Sequence, residues 1–458
     1  MIFSKKELSE IFDRAVVRDA DGVCVNSKNI KEGDLFVALK GERTDGHNFI
    51  GEALDGGAAL AIVEKDAAVA DPDRIIKVDS SREALVKLAK YNISRSDAKY
   101  VGVTGSVGKT TVKDLIFHIL NQQPEMRNAV YASRKNQNSQ IGLPVCAASM
   151  PRNSKFGIFE MGMSNFGDIR KLTGIVSPTI SVVSRICEAH LEFFDSVTDI
   201  AAAKSEIFET EKPQEAAILP KDSAYAEFLE KRARKNGIKN VFTFGSANAD
   251  ARLIECGRVG DRLEIAAEIF GEKIACAIEN GNDALVLNSL AGILCACVIA
   301  GISPQKSAAA VCSFEPPSGR GIPFHLKNRD IILIDDSYNA CPTSVRSAIL
   351  SLARYEGRRK ILVLGDMLEL GRDAVRYHEN LSATAGKIGV DKVFTCGPLA
   401  GSLFDNLEDC RKGARCENSW ESAEEVLKEI REGDCILVKG SNSVKMNVVV
   451  EAVKKFEG

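Results

Sequence analysis

The run Tyr100-Val-Gly-Val-Thr-Gly-Ser-Val-Gly-Lys-Thr-Thr111 constrains this chain more than any other. A short apolar strand passes through glycines straight into a helical pattern from about Thr110 to Leu120. That order reads as a phosphate-cradling loop at the carboxyl end of a parallel strand. The glycines let backbone amides curl around phosphate oxygens, and the helix N-terminus adds its positive end. Lys109 can reach the outer phosphates and the Thr110 hydroxyl can ligate Mg²⁺. The candidate nucleotide-binding residues are therefore Thr104, Gly105, Ser106, Val107, Gly108, Lys109, Thr110 and Thr111. A G-x-x-x-x-G-K-[ST] loop would carry glycine at position 103, where this chain has Val103, so the loop is a variant.

Such a loop needs a sheet around it. Runs at Phe156 to Glu160, Thr179 to Ser184 and Ala216 to Leu219, with a helical pattern through Ile200 to Phe208, predict a parallel sheet covered on both faces. Upstream, Asp34 to Leu39 and Ala58 to Glu64 read as strands of a smaller α/β unit ending at the polar joint Asp97-Ala98-Lys99. Downstream, the Pro- and Gly-rich segment Phe314 to Pro323 marks a second boundary. After it the alternation restarts with strands at Ile331 to Asp336, Lys360 to Asp366, Lys392 to Gly397 and Cys435 to Ser441. The expected architecture is α/β in three domains: a small N-terminal one (1–97), a central phosphate-loop domain (98–315) and a C-terminal Rossmann-like domain (316–458). A length of 458 residues suits about three domains. In open α/β sheets ligands sit beyond the carboxyl ends of the strands, so the third-domain strand ends should face a common cleft.

Composition removes several classes. With 60 Lys and Arg against 63 Asp and Glu, the chain is too balanced to hold a nucleic-acid backbone by bulk charge, so any anion needs a local site. The apolar run Leu290 to Ile302 is short of a bilayer span and reads as a buried helix. The charged, amphipathic start MIFSKKELSEIFDR has no apolar signal region. Thirteen cysteines without a C-x-x-C pair read as reduced thiols rather than a disulfide framework or a zinc site. The expectation is a cytoplasmic monomer without membrane insertion.

Glu160, closing a strand beside the loop, suits either a magnesium carboxylate or a solvent-exposed strand-end acid. Taken singly, His190 reads as a packing or surface residue and Lys204 as a solvated helix face. Asp336, Tyr338 and Asn339 fall in DDSYNACP, which by itself reads as a polar turn before Pro342. Lys439 and Ser441 lie at another strand end.

Taken in order, Thr104 to Thr111, Glu160-Met-Gly-Met163, Glu188-Ala-His-Leu-Glu192, Ala203-Lys-Ser-Glu206, Asp335-Asp-Ser-Tyr-Asn-Ala340 and Leu364-Gly-Asp-Met-Leu-Glu-Leu-Gly371 resemble the blocks of the Mur ligases, as does Gly33 to Ile50. The resemblance runs along nearly the whole chain. It implies ATP-dependent amide formation through an acyl phosphate, joining D-alanyl-D-alanine to UDP-N-acetylmuramoyl-tripeptide to give a pentapeptide precursor of peptidoglycan. It also implies two Mg²⁺ sites drawn from Thr110, Glu160, His190 and Lys204, the last as a carbamate, with Lys109, Glu160, His190 and Lys204 as the catalytic set. Asn288, Arg320, Asp336, Tyr338 and Asn339 are implied near ATP, and Ser27, Lys28, Gly46 and His47 near the UDP moiety.

The chain departs from the family pattern in four places, at the triplet Asn26-Ser27-Lys28 and at Arg185, Cys341 and Asn442. The alternatives are a related ligase of the folylpolyglutamate type or with another amino substrate, and a phosphate-loop binding module that makes no bond. A ligase for the third amino acid of the peptide would carry an Asp-Asn-Pro-Arg block, which is not in the sequence.

Overall fold

The computed structural model describes residues 1–456 apart from 43, 66–70, 135–136, 261 and 327–328. Three sheets follow one another along the chain. The first has four parallel strands, Gly22–Cys24, Asp34–Val37, Leu60–Glu64 and Ile75–Val78. Asp34–Val37 is buried along its whole length. A parallel strand covered on both faces has no solvent side, so it reads as a continuous apolar run.

The second sheet has nine strands with Lys99–Thr104 inside it, between Phe156–Glu160 and Ile180–Val183. Val130–Ala132, Ala216–Pro220 and Asn240–Gly245 extend the parallel part. The expected strands do pair in parallel, and the sheet continues beyond them. Ala251–Val259, Arg262–Ile269 and Glu272–Glu279 add an antiparallel meander at one end. In Arg262–Ile269 the buried residues alternate, Leu263, Ile265, Ala267 and Ile269 facing inward. Antiparallel strands can leave one face in water, which admits charges at every second position. The apolar run around Leu290 lies within a helix, Ala284–Ala300, packed on the loop helix Lys109–Asn121. A Cβ on Gly292 would stand 3.0 Å from that of Leu115. Among the described residues no helix is long and apolar enough to cross a membrane.

The third sheet has six strands in the order Ile322–Leu326, Ile331–Asp336, Asp434–Lys439, Arg359–Gly365, Lys392–Cys396 and Lys412–Cys416, of which only the first is antiparallel. Alternate residues of one strand serve opposite faces: Ile332 and Ile334 enter one core, Ile331 and Leu333 the other. Phe314 is buried in the second core and Ile322 begins the third sheet, so the chain crosses between them over 315–321.

The first two sheets share one hydrophobic cluster, running from Phe3 and Leu8 through Leu88 to Leu143, Phe159 and Leu172. Helix Ser81–Ser94 packs on helices Gly142–Ala148 and Asp168–Val176. Asn92, 2% exposed, donates its amide to the carbonyls of Ala147 at 2.8 Å, Met150 at 2.9 Å and Ala148 at 3.3 Å. It thus brings a donor to the end of a helix, where the intrahelical ladder runs out. Asn92→Ala removes the side-chain donor from the Ala148 and Met150 carbonyls, and we expect it to lower the unfolding free energy by about 2 kcal/mol, read from the urea midpoint. An unchanged midpoint would show that water replaces the amide.

Candidate active site

The loop is built by the strand that precedes it. Val103 is fully buried and still in register, opposite Glu160 on one side and Val182 on the other, so the strand continues where a longer loop would already turn. This pairing brings Glu160 next to the loop. Thr104 turns inward and donates to the Met161 carbonyl at 2.9 Å. The chain then turns at Gly105, φ +149°, where a Cβ would collide with Ser184 Oγ, and at Gly108, φ +88°, the cap of the loop helix. Ser184 Oγ donates to the Val107 carbonyl at 2.7 Å, and the Ser106 amide donates to the Arg185 carbonyl at 2.6 Å. The latter is a main-chain contact, so arginine at position 185 leaves it intact. Lys109 folds back to donate to the Gly105 carbonyl at 2.8 Å. Burial pushes its ammonium below the usual lysine value, Glu160 opposes this and Arg320 adds to it.

Glu160 is 2% exposed, which rules out the solvated strand-end reading. One carboxylate oxygen accepts from the Thr110 hydroxyl at 2.9 Å and the other from the Asn138 amide at 2.7 Å. Hard oxygen donors at a phosphate loop fit Mg²⁺, which binds through one or two carboxylates, water and substrate phosphate rather than a closed protein cage. The described residues contain no group of three or more His, Cys, Asp or Glu able to hold a metal by themselves. Arg320, from the crossing segment, donates to Thr110 Oγ1 at 3.1 Å and lies over the Tyr338 ring at 3.9 Å. It therefore ties the loop to the third sheet. Asn288 faces Gly108, where a Cβ would sit 2.8 Å from its Oδ1. At the strand ends, Lys439 pairs with Asp336 at 2.7 Å and donates to the Asn339 carbonyl at 2.9 Å. Burial raises Asp336, and Lys439 counters it.

His190 and Glu369 meet across the domains, Nδ1 to Oε2 at 2.5 Å. Both have positive φ, +62° and +61°, a conformation uncommon outside glycine and frequent where side chains must be aimed. Burial lowers the imidazole, the Glu369 hydrogen bond opposes this, and Lys204 and Lys109 lower it further. Lys204, at the end of helix Val197–Ser205, is fully buried, so the solvated-face reading does not hold. Burial first, then the charge of Lys109, push it well below the ordinary lysine value.

These groups surround a cleft of about 1820 Å³, lined by the loop, Glu160, His190, Asn288, Arg320, Asp336, Tyr338, Asn339, Lys439 and Ser441. Lys204 is not among its lining residues. Ser27, Lys28, Gly46 and His47 are not among its lining residues. Both His47 ring nitrogens are engaged within the first domain, Nδ1 with Asp45 Oδ1 at 2.6 Å and Nε2 accepting from the Glu64 amide at 3.0 Å. From that domain it is Arg82 that lines the cleft. Asn138 and Arg82 carry no sequence signal of their own; Glu369 falls inside the Leu364 to Gly371 block, which does not say what it touches. Asn138 sits in an irregular loop, and Glu369 finds its partner 179 residues away.

A variant phosphate loop opposed by a Rossmann-like sheet defines an ATP-using enzyme of the acid–amine ligase class, and the chain belongs to the Mur ligase family. Residues 19–92 match the Mur ligase family catalytic domain, 103–296 the Mur ligase middle domain and 324–442 the Mur ligase glutamate ligase domain. Over 456 residues the chain is 34% identical to UDP-N-acetylmuramoyl-tripeptide--D-alanyl-D-alanine ligase of Rickettsia prowazekii (strain Madrid E), covering 98% of this chain and 99% of that one. The fold is similar to that of MurF from Acinetobacter baumannii, with a TM-score of 0.87 at 24% identity over 99% of each chain. It is also similar to the MurF ligase of Thermotoga maritima in complex with ADP, with a TM-score of 0.82 at 29% identity over 95% of this chain and 97% of that one.

Proposed function

We propose that the chain joins D-alanyl-D-alanine to UDP-N-acetylmuramoyl-tripeptide with conversion of ATP to ADP and phosphate, giving the UDP-linked pentapeptide from which peptidoglycan is made. The observation that carries this reading is the Arg320 contact with Thr110, because it turns the phosphate loop and the third-sheet strand ends toward one cleft. The full-length similarity to ligases of that name supports the substrate pair. Both substrates are soluble and one is a nucleotide conjugate, which assigns the reaction to the cytoplasm. The chain acts as a monomer, with 1–97 taking the UDP-substrate, 98–315 ATP and 316–458 the dipeptide.

A carboxylate is a poor electrophile because it would have to expel oxide. The tripeptide carboxylate oxygen therefore attacks the γ-phosphorus, ADP leaves, and the dipeptide amine attacks the acyl phosphate and expels phosphate. Loop amides from Gly105 to Thr111 hold the phosphates, and Lys109 moves from the Gly105 carbonyl to the outer ones. Arg320 faces the γ-phosphate, Asn288 the adenine, and Asp336, Tyr338 and Asn339 the nucleotide from the third domain. Thr110 and Glu160 would hold one Mg²⁺, and His190, aimed by Glu369, would hold a second with Glu160 and a Lys204 carbamate. When bound, these ions neutralise the negative charge that gathers as phosphate meets carboxylate. The protein's share is positioning, electrostatics and exclusion of water from an acyl phosphate that water would destroy. Ser27, Lys28, Gly46 and His47 shape the first-domain surface for UDP, and Arg82 carries a cation from that domain into the cleft.

The test is phosphate release from ATP and Mg²⁺ with the UDP-tripeptide and D-alanyl-D-alanine added singly and together. Release should require both, with a pentapeptide product. Release with either alone, or equal rates with another amino acid, overturns the substrate assignment.

A further inference from the structure

The cleft contains one reactive pair that ligation does not use. Cys187, in the loop after strand Ile180–Val183, and Cys341, the cap of helix Pro342–Ser351, line it from the second and third domains. Their sulfurs are 3.7 Å apart. Among the described cysteines this is the one pair with sulfurs in contact, and all thirteen are free thiols. Each backbone is pinned on its own side. Cys187 N–H donates to Ser106 Oγ at 3.1 Å, and Cys341 N–H donates to Ser344 Oγ at 3.0 Å.

A disulfide needs the sulfurs at about 2.0 Å, so the gap closes by less than the width of an atom, within reach of side-chain rotation. The chemistry is poised as well. The Cys187 hydrogen bond, then Ser344 and the Lys439 charge, lower the Cys341 thiol against its burial, while Cys187 is driven up. One thiolate beside one thiol is the arrangement that reacts with peroxide and then resolves. With no third ligand among the described residues, the pair is not a metal site.

We propose that Cys187 and Cys341 form an oxidative modification site, at which a peroxide converts the two thiols into a disulfide that clamps the second and third domains together. The Cys341 thiolate attacks one peroxide oxygen, the O–O bond breaks, and the leaving hydroxide takes a proton to become water. The sulfenic acid sulfur is then attacked by Cys187, which gives up its proton as the S–O bond breaks and a second water leaves. Two thiols and one hydrogen peroxide become one disulfide and two waters, the two electrons passing from sulfur to oxygen. The cross-link spans 154 residues of chain and lies beside Ser106 of the loop. Turnover that requires the cleft to open then stops until a reductant cuts the bond.

The full chain is treated with hydrogen peroxide, alkylated with iodoacetamide and digested with trypsin for mass spectrometry. The expected product is peptide 186–204 joined to peptide 330–346, lighter than their sum by two hydrogens; each carries a single cysteine. Ligase turnover should fall by about tenfold or more and return with dithiothreitol, and Cys187→Ser should lose both the cross-link and the reversible inhibition. Recovery of both peptides alkylated, while exposed Cys256 and Cys410 are oxidised, overturns the site. Equal reversible inhibition of Cys187→Ser overturns the clamp. The peptide readout is independent of the substrate assignment.

Discussion

Replacing Lys109 with alanine is expected to lower ATP-driven ligation by about 10³-fold, the loss associated with removing a fixed cation from a phosphoryl-transfer site. Its ammonium rests 2.8 Å from the Gly105 carbonyl, at the start of the loop, so a short movement brings it to a phosphate oxygen. Burial already disfavours its charge in the absence of phosphate. The ligand's negative charge restores the balance, and the lysine therefore contributes more when ATP is bound than when the site is empty. Equilibrium titration should show weaker ATP binding in the variant, with the UDP-tripeptide affinity unchanged. A wild-type turnover in a variant that retains the native circular dichroism spectrum removes Lys109 from the mechanism.

Lys204→Ala should cost about 10²- to 10³-fold in turnover, and acetate or formate should restore part of it. A fully buried lysine has its ammonium disfavoured by burial and then by the charge of Lys109, which shifts it toward the neutral amine. A neutral amine adds to CO₂ and loses a proton, giving a carbamate whose oxygens suit a hard cation. An added carboxylate can occupy the space the variant vacates. In the native protein, ¹³C-labelled CO₂ should give a carbamate resonance that the variant lacks. Full activity of Lys204→Ala, or no labelled signal from the native chain, defeats the carbamate.

Much of this was legible because buried parallel strands announce themselves. Phe156–Glu160 and Ile331–Asp336 form as the apolar runs predict, each delivering its terminal acid to the cleft. The meander from Ala251 to Glu279 escaped because its alternation, clear in Arg262–Ile269, carries charges where a doubly covered strand has none. Ile322–Leu326 lies partly inside the Pro- and Gly-rich segment that marks the domain boundary, and Lys412–Cys416 is an edge strand with only Cys416 buried. The bland readings of Glu160 and Lys204 failed for the same reason: burial of a charged group is decided by what the rest of the chain brings to it. Contacts between distant segments, such as His190 with Glu369, leave no local pattern. The loop could be read because its geometry is encoded in adjacent residues.

The cluster shared by the first two sheets also governs how the chain is made. Helix Ser81–Ser94 meets its partner Asp168–Val176 only after a further stretch of synthesis, roughly ten seconds at ordinary ribosomal rates. Until then the part of Ser81–Ser94 that packs on Asp168–Val176 is uncovered, and the first domain is an unfinished body waiting on the second. The third domain has both its cores within its own residues and needs no such wait. The nascent protein is therefore most exposed to aggregation, and most in need of a chaperone, early in its synthesis.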